Sequence, residues 1–188
     1  MQRFIEGDMK SFEILYSRYK SAIYLFIYRQ CTAESQAEEL TQEVFTKVVR
    51  SATSFRLEAK FSTWIYRIAR NQVIDGFRKA RHRKHTSLDQ PGNGDGPSLG
   101  EKLPNAGAEP DRQTIANRLR KDLEAAIAAL PDNQREVFLL REYSGLKFDE
   151  IGDIVGAKVG TVKSRMRYAL EALQKALAGY EDYARTLP

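Results

Sequence analysis

Apolar residues recur along this chain with the 3.6-residue period of helices that bury one side. The pattern fills two blocks, and neither contains an alternating β-branched run long enough to make a convincing strand. Helices are predicted near 8–30, 34–53 and 61–82 in the first block, and near 114–129, 132–142, 148–155 and 158–178 in the second. We therefore predict an all-α protein made of two small helical domains.

A segment of different composition, residues 86–113, separates the two blocks. It contains four of the six prolines and five of the twelve glycines, and its acidic residues outnumber its basic ones. Proline and glycine interrupt helices and favour turns, so no packed element is expected here. We predict a flexible acidic linker between the two helical domains.

Residues 148–173 are predicted to form two short helices around a glycine turn. Gly156 can adopt the positive φ that ends a helix without the steric penalty that a side chain would meet. One side of the second helix carries the apolar residues Val162, Met166, Ala169, Leu173 and Leu177. The opposite side carries Lys163, Ser164, Arg167, Tyr168 and Glu171. This is the pattern of a helix-turn-helix DNA reader, for which a plain solvated helix is the alternative.

Charge is distributed unevenly along the 188 residues, whose formal net charge is +5. Residues 60–84 contain eight basic residues against the single acid Asp75, and residues 158–177 contain five against Glu171. Such basic segments favour a polyanionic partner. Residues 31–46 instead contain four glutamates and no base. DNA would repel that segment, so it suits a protein partner.

The basic helix of the first block has a charged side of its own. One arc of this helix is made of Arg67, Arg70, Ile74, Arg78 and Arg81, with Asn71 at its edge. An arc of arginines is suited to bind the phosphates of a nucleic acid. The neighbouring aromatic residues Phe61, Trp64 and Tyr66 could stack on exposed bases, as in single-strand binders. Core packing is the alternative for Trp64, because it lies on the apolar side with Ile68.

Several classes of function find no support in the sequence. Cys31 is the only cysteine, so no internal disulfide can form, and it is interpreted as a small core residue of a protein in the reducing cytoplasm. No segment approaches the ~18 apolar residues of a membrane span, so no membrane insertion is expected. His82 and His85 have no carboxylate or thiol beside them to complete a metal site. We therefore predict no enzymatic activity, no catalytic residue, no metal and no cofactor.

Several separate stretches together resemble the extracytoplasmic-function group of bacterial RNA polymerase sigma factors. Residues 7–12, GDMKSF, look like the opening of the family's first conserved region. Residues 37–45, AEELTQEVF, are similar to its polymerase-binding helix, and residues 63–71, TWIYRIARN, are similar to its promoter-melting helix. Residues 150–152 and 160–165 match its carboxy-terminal helix-turn-helix. The resemblance covers nearly the whole chain.

The resemblance implies sigma region 2 over residues 1–85, an acidic linker over 86–113 and sigma region 4 over 114–188. It implies that the acidic helix docks on the largest subunit of core RNA polymerase through Glu38, Glu39, Gln42, Glu43 and Thr46. It implies contacts with the minus-ten promoter element from Phe55, Phe61, Ser62, Thr63, Arg67, Arg70, Asn71 and Arg78. It assigns the minus-thirty-five element to Lys158, Thr161, Lys163, Ser164, Arg165, Arg167 and Tyr168, of which Arg165 would touch phosphate.

The same resemblance implies a transcription initiation factor that is monomeric when free, binds promoter DNA together with core polymerase, and is held inactive by an anti-sigma protein. The linker would either run through the polymerase cleft or serve as an inert tether. Lys158 stands where the family commonly has Ser or Pro, and Tyr168 and Leu170 stand where it often has arginines, so the promoter sequence is not transferred. A stand-alone helix-turn-helix regulator is the alternative function, but it leaves the acidic helix and the arginine arc unexplained.

Overall fold

The structure is a computed structural model that describes residues 1–31, 33–56, 60–86 and 112–180. Its helices are α1 (Gln2–Ile5), α2 (Met9–Tyr28), α3 (Glu34–Arg50), α4 (Phe61–Thr86), α5 (Arg112–Ala129), α6 (Asp132–Phe138), α7 (Phe148–Val155) and α8 (Val159–Ala176). Single 3-10 turns occur at Ala52–Ser54 and Ala178–Tyr180, and a π turn spans Leu139–Tyr143. These ranges contain no strand, which confirms the predicted all-α class. Most of the predicted linker, residues 87–111, lies outside them.

Helices α2, α3 and α4 form the N-terminal half around a shared apolar core. The Asp8 carboxylate caps α2 by accepting hydrogen bonds from the backbone N–H groups of Lys10 at 3.0 Å and Ser11 at 3.4 Å. The sequence predicted this helix near 8–30, but it did not predict the single turn of α1 before it. The three helices bury the apolar sides that their periodicity predicts, including Ile23, Phe26, Ile27, Val44, Val48 and Ile65.

Helices α5 to α8 form the C-terminal half. Helix α6 begins at Asp132, directly after Pro131, as the sequence predicted. The predicted helix over 132–142 is not a continuous α-helix, because a π turn replaces α geometry from Leu139 onward. All of residues 136–140 are buried, between α8 on one side and the N-terminal half on the other. A regular α-helix packed against one surface buries a single stripe of residues. The π turn changes the angular spacing of the side chains, and this change accompanies burial of the segment from two sides.

The turn between α7 and α8 has the geometry that the sequence predicted. Gly156 ends α7 with φ of 68° and ψ of 39°, in the left-handed region. The Ala157 N–H donates to the Gly152 carbonyl at 3.0 Å, and a Cβ on Gly152 would lie 2.8 Å from the Ala157 oxygen. Glycine is therefore favoured at 156 by its φ and required at 152 by close packing. The buried side of α8 consists of Val162, Met166, Ala169 and Leu173, four of the five predicted residues. The fifth, Leu177, follows the last residue of α8 and is half-buried.

The two halves pack against each other through α4. Helix α4 contacts α7, and α2 contacts the π turn. The buried residues of both halves form one continuous apolar cluster. The sequence predicted the two helical halves but not this contact between them. The packing brings the basic side of α4 next to the helix-turn-helix.

We predict that Gly156→Ala lowers the free energy of unfolding by about 1 kcal/mol, because alanine meets a steric penalty at positive φ. Gly160→Ala is the matched control, since Gly160 lies within α8 with open space around it. That control should leave stability unchanged or raise it by up to about 1 kcal/mol. Urea denaturation followed by circular dichroism measures both variants. A Gly156→Ala protein as stable as the wild type would contradict the importance of the left-handed turn.

Candidate nucleic-acid interface

Helix α8 presents a polar face to solvent because its apolar side is anchored in the C-terminal half. The residues exposed on this face are Thr161, Lys163, Ser164, Arg167 and Tyr168. The Ser164 hydroxyl donates to the Gly160 carbonyl at 3.0 Å, and its oxygen keeps lone pairs free for an incoming donor. The structure therefore brings together the residues predicted for the minus-thirty-five element on one accessible surface of one helix.

Arg167 is the centre of this face. Its guanidinium lies 4.6 Å from the Tyr168 ring centroid, and Nη1 donates to Glu171 at 3.3 Å. The Arg167 side chain is 62% exposed, so its ion pair with Glu171 is screened by water and DNA could displace it at little cost. Lys158 is exposed at the N-cap of α8, and Arg165 is half-buried at the edge of the face. The phosphate contact expected of Arg165 stays a prediction.

Two arginines of the predicted arc on α4 contact the C-terminal half. Arg70 Nε donates to the Glu136 carboxylate at 2.7 Å, and Arg67 Nη2 donates to the Asp153 carbonyl oxygen at 2.9 Å. Arg70 is half-buried, whereas Arg67, Asn71 and Arg78 are exposed. The side chain of Arg81 is outside the described residues.

An aromatic cluster lies at the start of α4. The Phe55 and Trp64 ring centroids are 5.3 Å apart, those of Phe61 and Trp64 are 5.9 Å apart, and Tyr19 meets Phe61 edge to face at 5.1 Å. The rings of Phe55, Phe61 and Trp64 are half-buried, as are Ser62 and Thr63. Trp64 packs against the core, which agrees with the core-packing alternative, and its stacking on a base stays a prediction. Tyr66 is buried, so the expectation that it stacks on an exposed base is wrong for this arrangement. Residues 57–59, between Phe55 and Phe61, lie outside the described residues.

Helix α3 carries the predicted acidic face. Glu38, Glu39, Gln42 and Thr46 are exposed on it. Glu43 differs, because it is half-buried and accepts a hydrogen bond from the Gln72 amide at 2.8 Å. Beside this face, an open groove of about 910 Å³ runs between α2 and α3, with an apolar lining that includes Phe12, Tyr16, Leu25, Phe45 and Val49. The charged residues in the lining of this groove are Glu38 and Lys20. An apolar groove beside an acidic face suits a protein partner better than DNA.

Glu136 is a charged residue that sequence reasoning missed. Burial raises the pKa of its carboxyl group above the ordinary value, and the neighbouring Arg70 guanidinium opposes that rise. The signal was present in the sequence, since an acid at position 136 directly precedes the apolar run VFLL. An acid at such a site needs a partner, but sequence alone does not name Arg70 as that partner.

Among the candidate metal and thiol residues, Cys31 is the one whose side chain the structure describes. Cys31 is half-buried, and burial raises the pKa of its thiol, which suits a small packed residue better than a nucleophile. Among the residues that the structure describes, no group of three potential ligands could hold a metal ion. The side chains of His82 and His85 are outside that set.

Two family models match the chain. Sigma-70 region 2 matches residues 15–83, and Sigma-70, region 4 matches residues 120–173. The chain is 34% identical over 172 residues to the ECF RNA polymerase sigma factor SigW of Bacillus subtilis (92% of this chain, 91% of that protein). It is 32% identical over 178 residues to the ECF RNA polymerase sigma-E factor of Escherichia coli K12 (92% of this chain, 90% of that protein).

Two solved structures share the fold. The sigma factor RpoE of Bartonella quintana, crystallised with the anti-sigma factor NepR, has a TM-score of 0.69 at 24% identity, covering 90% of this chain and 98% of that one. CnrH, in complex with the cytosolic domain of CnrY, has a TM-score of 0.65 at 19% identity, covering 93% of this chain and 92% of that one. At these identities the structures establish the fold.

The matches define a two-part sigma factor, with a region 2 and a region 4 in that order along the chain. The chain belongs to the extracytoplasmic-function (ECF) group of RNA polymerase sigma factors. Its function is accordingly to direct transcription initiation at promoters, and the region 2 match excludes a stand-alone helix-turn-helix regulator. Across the described ranges, no helix has both the length and the apolar character that crossing a membrane requires.

We predict that the raised pKa of Glu136 makes stability depend on pH in one direction. The folded chain binds this proton more tightly than the unfolded chain, so the contribution is complete below the ordinary value of 4.5 and is lost as pH rises through the folded pKa. The free energy of unfolding of the wild type should therefore fall relative to that of Glu136→Gln as pH rises through the folded pKa. Chemical denaturation of both proteins across the range measures the difference, with exposed Glu124→Gln as control. A difference that stays constant with pH would contradict the raised pKa.

Proposed function

We propose that the chain binds core RNA polymerase through α3, the minus-ten element through the start and basic side of α4, and the minus-thirty-five element through α8. The observation that carries this proposal is the separation of charge. An acidic face on α3 and a basic face on α8 are exposed on different helices. A negative and a positive surface allow the chain to bind a protein and DNA at the same time, because each surface attracts a partner of opposite charge.

The polymerase contact would use Glu38, Glu39, Gln42 and Thr46, together with the adjacent apolar groove between α2 and α3. Charged groups at the rim of an interface steer association, while buried apolar contacts supply most of the affinity. The groove and the acidic face together offer both components. The role of Glu43 would be indirect, since its hydrogen bond to Gln72 orients α3 on α4.

The minus-thirty-five contact would place α8 in a major groove with Lys163, Ser164, Arg167 and Tyr168 toward base edges. Arginine can donate two hydrogen bonds to guanine, and lysine can donate to guanine or phosphate. Lys158, Thr161 and Arg165, near the start and edge of the face, would hold the backbone. The free N–H groups at the start of α8 favour a phosphate in the same place.

The minus-ten contact would combine the aromatic cluster with the α4 side chains. An extruded base needs a receiving pocket, because unstacking costs a few kcal/mol. Phe55, Phe61, Ser62 and Thr63 would form this pocket at the start of α4, and Arg67, Arg70, Asn71 and Arg78 would hold the strand backbone. The protein would act in the cytoplasm through binding only, and core RNA polymerase would carry out the catalysis.

The polymerase and promoter surfaces can be tested separately in one transcription assay. We predict that Glu39→Lys weakens binding to core polymerase about 10-fold by reversing charge on the proposed interface, without changing duplex binding by α8. We predict that Arg167→Ala leaves core binding intact and removes about 1–3 kcal/mol of discrimination for the minus-thirty-five sequence. Core binding is measured by fluorescence anisotropy, and selection by transcription from promoters with altered upstream elements.

The matched controls are Glu124→Lys, an exposed acid of α5 away from the acidic face and the groove, and Lys175→Ala, an exposed base in the last turn of α8. Each should behave as the wild type. If Glu39→Lys and Arg167→Ala reduced core binding equally, the assignment of separate surfaces would be wrong.

We also propose that an anti-sigma protein controls this chain. Support comes from the structure of similar fold in which the sigma factor RpoE is bound to the anti-sigma factor NepR. In the other structure of similar fold, CnrH is bound to the cytosolic domain of CnrY. The apolar groove beside α3 offers a place where such a protein would compete with polymerase. Affinity purification of the chain from uninduced native cells should recover a partner that excess core polymerase displaces. Recovery of polymerase subunits alone would contradict the proposal.

A further inference from the structure

The exposed face of α8 contains an arginine that is held by two side chains of its own helix. The Arg167 guanidinium carbon lies 4.6 Å from the Tyr168 ring centroid, which is within the range of a cation–π contact. Arg167 Nη1 also donates to Glu171 Oε1 at 3.3 Å. Within the described ranges, Lys158 and Lys163 of the same face have no ion pair and no cation–π partner. Arg167 thus differs from both lysines in being restrained before any DNA binds.

The two restraints on Arg167 use its guanidinium in different ways. The Glu171 contact takes an N–H group at the edge of the guanidinium, and edge N–H groups are the donors that guanine O6 and N7 accept. The Tyr168 ring attracts the delocalised charge through its π face and needs no particular N–H group. Arg167 Nε and Nη2 have no protein acceptor among the described residues. The ring contact therefore leaves two neighbouring donors for a base.

The Tyr168 contact is the one that can persist when DNA binds. The Arg167 and Glu171 side chains are 62% and 49% exposed, so water screens their ion pair. The phosphates of a duplex would also repel the Glu171 carboxylate. A cation–π contact instead becomes stronger as water leaves it, and a helix in a major groove loses water from this face. We therefore expect DNA to weaken the Glu171 contact and to strengthen the Tyr168 contact.

Tyr168 has no evident part in the core of the C-terminal half. It is 48% exposed on the polar side of α8. In the described part of the chain, its ring stacks on no other aromatic ring, and its partner in a cation–π contact is Arg167. Tyrosine has fewer rotatable bonds than arginine, so its ring is the more rigid member of the pair. The ring is thus suited to restrain the longer side chain.

Such a restraint matters because bidentate recognition of guanine requires one orientation of the guanidinium. An exposed arginine that moves freely loses rotamer freedom when it binds a base, and this loss lowers the affinity. A side chain held in its binding orientation beforehand loses less. The gain applies only where the arginine contacts its base, so it increases discrimination between bases.

We propose that Tyr168 is a positioning residue for base recognition, whose ring holds the Arg167 guanidinium toward a guanine of the minus-thirty-five element. The proposal rests on the assignment of α8 to that element made above, and it deepens that assignment. Tyr168 acts through Arg167 and reads no base of its own. Glu171 restrains Arg167 in the free chain and releases it on DNA. A position at which the family often has an arginine here supports the arginine before it.

Transcription by reconstituted holoenzyme from a promoter library tests this role. The library is built on a promoter that the wild-type holoenzyme transcribes, its upstream element is randomised, and a barcode in each transcript identifies the element. The wild type should prefer guanine at one position, and Arg167→Ala should lose that preference. Tyr168→Leu should lower the same preference ~3-fold, the loss expected for one exposed cation–π contact, and should leave the other positions unchanged. A merely structural role would weaken all positions alike.

Three further variants separate the ring from the other features of the face. Tyr168→Phe keeps the ring without the hydroxyl and should retain the guanine preference. Glu171→Gln removes the ion pair and should change that preference less than Tyr168→Leu does. Tyr28→Leu removes a tyrosine of α2 that is 46% exposed, similar to Tyr168, and should behave as the wild type.

A double-mutant cycle tests whether Tyr168 acts through Arg167. Tyr168→Leu combined with Arg167→Ala should discriminate as Arg167→Ala does alone, because the ring then has no guanidinium to hold. The preferred duplex with 7-deazaguanine at the guanine position lacks the N7 acceptor. Wild-type and Tyr168→Leu holoenzymes should differ less in affinity for this duplex than for the unmodified one, measured by fluorescence anisotropy.

Thermal melting followed by circular dichroism checks that each variant is folded. If Tyr168→Leu does not fold, Tyr168→Gln serves in its place, because it also removes the ring and glutamine favours helices. It should lower the guanine preference by the same factor.

The outcomes separate this inference from the function on which it rests. If Arg167→Ala loses a guanine preference that Tyr168→Leu retains, or if Tyr168→Leu changes a different position, the positioning role is wrong and the assignment of Arg167 stands. The role is also wrong if Tyr168→Phe loses as much as Tyr168→Leu, since the hydroxyl would then be the active group. If Arg167→Ala changes no position, the assignment of Arg167 to the minus-thirty-five element fails together with the inference.

Discussion

Burial of α4 on two sides is the constraint on which the structure depends. Its apolar side, with Ile65, Ala69 and Val73, completes the core of the N-terminal half. Its basic side, with Arg67 and Arg70, meets the C-terminal half. Arg70 is half-buried on this side, so a ligand of its guanidinium must compete with the protein's own contact to Glu136. The same helix thus connects the packing of the two halves with the function proposed for its arginines.

Separation of charge is the basis for the proposal that one small protein binds two partners of opposite charge. The acids of α3 and the bases of α8 belong to different halves, and solvent screens interactions between exposed charges beyond about 8 Å at physiological salt. Each face can therefore keep its own electrostatic potential, negative on α3 and positive on α8. Regions 2 and 4 recur in sigma factors of this group, and here their faces point outward because the apolar sides of α3 and α8 are anchored in the core.

Most of the local structure could be predicted from the sequence because it depends on neighbours a few residues apart. The polar and buried sides of α8 follow from a period of 3.6 residues, and the turn at Gly156 follows from its freedom at positive φ. Prediction failed where burial came from more than one direction. The π turn from Leu139 to Tyr143 is an example, because its run of apolar residues does not reveal that surfaces approach from two sides. Glu43 is another, since its pattern indicates an exposed acid while Gln72 of α4 partly covers it.

The sequence by itself determined the helices, the two-part organisation and the charge of each candidate face. The reason is that the hydrophobic period, the turn residues and the charges can each be recognised within a short segment of the chain. Only the tertiary structure decided which of those faces are free. Arg70 meets Glu136 from 66 residues away, and Arg67 meets the backbone of Asp153 from 86 residues away. Contacts at such separations depend on how the apolar sides of all helices fit together, and a one-dimensional pattern does not encode that fit.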